Sequence, residues 1–144
     1  MTTYRWRILQ QGRLPVRPDG ATARANSKRC TSMLIWPAGS APRRDNTLLI
    51  DACLDKGGLA AASSALRLLD LEWDDLGHGF CTHPHPDHVS NLMELVDHPL
   101  LGLDLADSGP LSHLRLEPLP GHEQSQRGLV FSDGGGEVWV TGDA

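Results

Sequence analysis

Between Thr82 and His88 the chain reads THPHPDH, which places His83, His85, Asp87 and His88 within six consecutive positions. His83 and His85 are separated by one residue, so in extended backbone they lean the same way. Asp87 and His88 follow at the turn into a helix. Neutral imidazole is a good ligand for zinc and similar ions, and a carboxylate adds a hard oxygen and negative charge. Pro84 and Pro86 fix φ and stiffen the loop, so less entropy is lost when a metal binds. Such density sets this stretch apart from the isolated His78, His98 and His113, which read as ordinary surface or core residues.

Two further candidates close strand-like segments beside turn residues, where ligands are commonly placed. They are His122 after Gly121 in LPGHE, and Asp143 after Gly142 in VWVTGD. Asp51 ends TLLIDAC, and an acid there suits an outer role, accepting an imidazole N–H and orienting a ligand.

These residues need elements to hold them. YRWRILQ alternates like a first strand, residues 12–29 read as a loop, and CTSMLIW and TLLIDAC read as strands. Gly57-Gly58 reads as a break. Leu59, Ala62, Leu66 and Leu69 recur at helical spacing and predict a helix over 59–71. GFCT predicts a short strand running into the histidines, and His88 to Val96 a second helix. LGLDLAD, HLRLEPL, GLVFS and EVWVTGD predict four more strands, with SDGGGE as a hairpin turn. The mixture predicts one α/β (α+β) domain over 1–144.

Composition narrows the partners. At 144 residues, 40% hydrophobic, the chain can build one real core. The formal charge is -5, and Arg24, Lys28, Arg29, Arg43 and Arg44 cluster only loosely. Nucleic acid is therefore a poor fit, and a small-molecule substrate a better one. No apolar run approaches the roughly 20 residues that cross a bilayer. The N-terminus, MTTYRWRILQQG, lacks the apolar core of a signal peptide, so a cytoplasmic location with no membrane partner is expected. Cys30, Cys53 and Cys81 are odd in number, far apart and without a CxxC pair, which predicts buried free thiols. Cys81 stands two residues from His83, so a role near the site stays open.

HPHPDH resembles the H-x-H-x-D-H motif of the metallo-β-lactamase superfamily, binuclear metallohydrolases of αββα fold. TLLIDAC, PGH (Pro120 to His122) and TGDA (Thr141 to Ala144) resemble further segments of that family, in its order, over Cys30 to Ala144. The resemblance implies a first metal on His83, His85 and His122, a second on Asp87 and His88, and Asp143 bridging them. Zn2+, one ion or two, is the expected cofactor, with other divalent metals open. Asp87 is the implied catalytic residue, orienting a metal-bound hydroxide; a bound dication brings the pKa of water from about 15.7 to about 7.

The family also supplies a later histidine to the second metal, and further strands and a helix. Here no histidine follows His122, and the sequence stops at Ala144. The second site is thus expected to be a ligand short and the C-terminal part of the sandwich missing or minimal. A fragment, a minimal form completed as a homo-oligomer, and a metal-binding chain without turnover all fit. Glu123 also stands where the family commonly has a small hydroxyl residue. The leading function is hydrolysis of a small ester, thioester or lactone. The alternatives are a metal-binding remnant impaired in catalysis, a phosphodiesterase or nuclease, and a single-iron oxygenase acting on persulfides.

Overall fold

A computed structural model describes residues 2–13, 18–20, 30–95, 98–100 and 111–143. Within them, β1 (Tyr4–Gln10) pairs antiparallel with β2 (Ser32–Pro37), and β2 antiparallel with β3 (Leu48–Ile50). β3 then pairs parallel with β4 (His78–Phe80), and β4 parallel with β5 (His98–Leu100). A parallel step needs a crossover, and α1 (Lys56–Arg67) supplies the one between β3 and β4. A second sheet, β6 (Arg115–Pro118), β7 (Arg127–Ser132) and β8 (Glu137–Val140), is antiparallel throughout.

The side-chain alternation of strands makes two cores from one sheet. Leu34, Trp36 and Leu49 point to one face and pack with Ala62 and Leu66 of α1 and with Leu92. Met33, Ile35, Leu48, Ile50 and Phe80 point to the other and meet Leu129 and Phe131 of the second sheet. Tyr4 seals that core edge-on to Phe131, ring centroids 6.0 Å apart. The order helix, sheet, sheet is an α/β layering of the kind that the sequence resemblance implies. On the outer face of the second sheet, Val130 lies between Arg115 and Trp139 across the strands and is 1% exposed. The Arg115 guanidinium sits 5.8 Å from the Trp139 ring centroid and pairs with Glu117 and Glu137, roofing that valine.

Three details differ from the sequence-based expectations. Gly57 and Gly58 do not break the chain; both lie in the first turn of α1. Asp55 caps the helix by accepting from Gly58 N, and a Cβ on Gly58 would stand 2.4 Å from Gln10 Oε1. Glycine is there so that the helix start can press onto β1. The helix ends at Arg67 because Asp70 turns left-handed (φ 57) and Leu71 N donates back to Leu66 O, a Schellman closure that returns Leu71 to the core.

The second helix is split into α2 (Pro86–Val89) and α3 (Leu92–Leu95). Ala52 N donates to the His88 carbonyl, Asn91 N donates to Ala52 O, and Asn91 Oδ1 accepts from Leu54 N. Tertiary bonds to the loop after β3 thus replace the intrahelical ladder. LGLDLAD and Val96 lie outside the described residues. Among the described residues no helix is long and apolar enough to cross a membrane.

Candidate metal centre

The first sheet aims its contribution from the ends of β3 and β4. Past Ile50, Asp51 adopts a left-handed backbone (φ 50) and is 2% exposed. That conformation costs a non-glycine residue about 1–2 kcal/mol and persists where the surroundings over-determine it. Here three donors do so. Asp51 Oδ1 accepts from Thr82 N at 2.7 Å, and Oδ2 accepts from Thr82 Oγ1 at 2.9 Å. His88 Nδ1 also donates to Oδ2, at 2.8 Å. Pro86 opens the single turn of α2, which carries Asp87 outward and His88 inward.

The second sheet brings the rest. Arg127 N donates to Thr82 O at 2.9 Å, tying the start of β7 to the histidine loop. The loop bearing His122 is closed by Leu119 N on Gln126 O at 2.9 Å. The buried Gln126 reaches on, its Nε2 donating to Thr141 O at 2.7 Å, and so fixes the segment that presents Asp143. Gly142 there is left-handed (φ 62), and a Cβ on it would lie 2.5 Å from Thr82 Oγ1.

Two donor groups result among the described residues, each with its atoms within 4.8 Å of one another: His83, His85 and His122, and His83, His88 and Asp143. His83 belongs to both. His122 Nε2 lies 3.0 Å from His85 Nδ1 and 3.3 Å from Asp143 Oδ2. Asp143 Oδ1 is 3.2 Å from His88 Nε2, and its Oδ2 is 3.7 Å from His83 Nε2. Asp87 joins neither group; its carboxylate stands 3.8 Å from His88 Nε2 and is partly open to solvent. His78 and His113 contribute to neither.

The donor set fits a divalent cation. His83 Nε2 is buried and has no hydrogen-bond partner among the described residues, a state that is costly for a polar atom in an interior. A tetrahedral ion at about 2.0–2.1 Å from each nitrogen holds neighbouring donors about 3.3 Å apart, close to the spacing of His122 and His85. Burial, with the neighbouring His88 and His85, pushes the His83 pKa down, so its ring is neutral and available as a ligand. Burial works against charge on His88 too, but the hydrogen bond to Asp51 and the charges of Asp51, Asp143 and Asp87 outweigh it and raise the pKa.

A family model described as the metallo-beta-lactamase superfamily matches residues 28–101, about half of the chain, including Asp51 and the whole histidine motif. The chain belongs to the metallo-beta-lactamase superfamily. Solved structures agree on the fold. A Thermotoga maritima protein described as a metallo-beta-lactamase aligns with TM-score 0.66 at 15% identity, over 96% of this chain and 78% of its own. A metallo-beta-lactamase family protein from Thermus thermophilus gives TM-score 0.56 at 15% identity, over 88% of this chain and 55% of its own. A Staphylococcus aureus protein described as a metal-dependent hydrolase gives 0.55 at 14%, over 96% and 71%. Identities this low speak for the fold alone. No curated protein matches the chain in sequence.

The remaining candidates fall away from the centre or behind it. Glu123 turns its carboxylate to Ser125, whose N and Oγ both donate to Oε2, and the Ser125 hydroxyl leads the causes that hold its pKa low. Cys81 packs in the helix-side core with its thiol pushed up to about 11 by burial. Cys30 is likewise buried and free; Cys53 is free and half-buried. Thr82, Gln126 and Gly142 support the centre without being among the candidate ligands that the sequence offers. Thr82 carries a signal, a hydroxyl directly before the first histidine; Gln126 carries none.

Proposed function

We propose that this chain is a metal-dependent hydrolase of a small ester, thioester or lactone, with zinc on the His83, His85, His122 group and a second, more weakly held ion on His88 and Asp143, with Asp87 beside them. The observation that carries the reading is the convergence of His83, His85, His122, His88 and Asp143 at the meeting of the two sheets. A dication held there lowers the pKa of water toward about 7 and polarises a substrate oxygen.

The chain's own groups divide the remaining work. Asp51 fixes His88, and Asp143 lies between His122 and His88 with an oxygen toward each. Asp87, partly open and 3.8 Å from His88 Nε2, is placed to orient the attacking water and accept its proton. The absence of a dense basic cluster favours a small substrate over a polyanion.

The test joins metal analysis to a substrate panel. Purified chain is assayed for bound zinc, then offered aryl esters, thioesters, lactones and phosphodiesters with zinc supplied. Zinc binding with turnover of an acyl substrate, lost in His83→Ala, is expected. Zinc binding with no turnover points instead to a metal-binding remnant, and phosphodiester turnover to a nuclease-type enzyme. A chain that binds no divalent ion overturns the proposal.

A further inference from the structure

We propose that Thr82 is a positioning residue which, together with Asp51, presets the tautomer of one histidine in each donor group. The inference rests on reading the centre as a metal site. A neutral imidazole carries one proton, and the nitrogen that faces an ion must be bare. Something must therefore hold that proton on the far nitrogen of each ligand.

For His88 the holder is Asp51. An ionised carboxylate only accepts, so Nδ1, 2.8 Å from Oδ2, is the donor and Nε2 is left bare toward Asp143. For His83 the control passes through one more atom. The Thr82 hydroxyl has a single proton. It lies 2.9 Å from Asp51 Oδ2, which can only accept, so the proton goes there. The hydroxyl oxygen then presents a lone pair to His83 Nδ1, 3.0 Å away, and that nitrogen must donate. His83 Nε2 is left bare, buried, and without a hydrogen-bond partner among the described residues. A reversed relay would turn two oxygen lone pairs on each other at 2.9 Å inside a buried site, an arrangement that forfeits a charge-assisted bond.

The packing is arranged around this hydroxyl. Thr82 is 1% exposed, its main chain is pinned by Asp51 Oδ1 and Arg127 N, and Gly142 has no Cβ to press on Oγ1. One carboxylate thus sets a ligand in both groups, directly on one side and through a hydroxyl on the other. Outer partners of metal-bound histidines are worth about 10- to 100-fold in metal affinity.

The test uses the full chain with zinc as the probe. Long-range proton–nitrogen spectra of the metal-free protein at mildly alkaline pH report the tautomer of each histidine. Zinc affinity is measured by chelator competition for wild type, Thr82→Val and Thr82→Ser. The expected result is Nδ1–H on both His83 and His88 in wild type. Thr82→Val weakens zinc about 10- to 100-fold and leaves His83 in mixed tautomers, while Thr82→Ser restores both readings. Nε2–H on His83 in wild type, or Thr82→Val with wild-type affinity and an unchanged His83 tautomer, overturns the proposal. If Thr82→Val does not fold, the wild-type spectra and Thr82→Ser decide. A wild type that binds no zinc overturns the metal-site reading, whereas the spectra still judge the relay by themselves.

Discussion

His122 Nε2 faces His85 Nδ1 at 3.0 Å, although 37 residues separate them in sequence. One belongs to the loop before β7 and the other to the loop after β4. Asp143 stands between this pair and His88, one oxygen 3.3 Å from His122 Nε2 and the other 3.2 Å from His88 Nε2. Removing ligands should therefore act unequally. His83→Ala and His122→Ala should weaken one ion and spare the other, His88→Ala the reverse, and Asp143→Ala should weaken both, each by more than the roughly 100-fold that an outer partner is worth. Titration with a chromophoric chelator separates these cases. Equal losses at both sites in His122→Ala would contradict the shared-donor arrangement.

Gly142 is a second point of leverage. Its φ of 62 is strained for any other residue, and an added Cβ would meet Thr82 Oγ1 at 2.5 Å. Gly142→Ala should cost about 1–2 kcal/mol from the backbone alone and should also lower metal affinity by displacing the hydroxyl. Gly39→Ala, with nothing within 4 Å and no positive φ, is the matched control. Urea midpoints for the two variants give the comparison; indistinguishable values would show that Thr82 yields freely.

Alkaline pH should erode stability through the thiols. Burial pushes Cys30 up to about 12 and Cys81 up to about 11, from an ordinary 9.0. The unfolded chain releases these protons first, so the folded state binds more protons above 9.0. Stability is complete below that value and falls as pH rises toward 11 and 12, at up to about 1.4 kcal/mol per pH unit for each thiol. Urea unfolding at several pH values, in wild type and Cys30→Ala, measures the slope. The variant should fall less steeply; parallel curves would remove Cys30 from the account.

Phe80 bears on the frame rather than the site. It is wholly buried between the sheets, directly before the segment that carries the histidines. Phe80→Ala should cost about 3–5 kcal/mol, a large share of a typical domain stability of about 5–15 kcal/mol. A loss under about 1 kcal/mol by calorimetry or urea would mean that the site closes over the cavity.

What the sequence disclosed followed from chemistry that is local. Four candidate ligands in six positions announce themselves, and the apolar runs of β2, β3 and β7 carry their burial on their face. The misread parts depend on distant partners. Gly57-Gly58 looks like a break until Gln10 of β1 is seen against it. The run from His88 looks like one helix until Ala52 takes the His88 carbonyl and Asn91 turns to Leu54. Thr82 and Gln126 act through hydrogen bonds to residues far along the chain, and no spacing rule reaches them.

The donors are drawn from both sheets: His83, His85 and His88 hang from the first, His122 and Asp143 from the second. Sliding one sheet over the other, or peeling them apart, therefore dismantles the centre before it disturbs any single strand. An ion gripped by both, as proposed, would act as a rivet through the interface. By mass action it adds about 2.7 kcal/mol to the native state when supplied at about 100 times its dissociation constant. Removing the ion would loosen the join between the layers, so a chelator should lower the urea midpoint of this protein while leaving it folded.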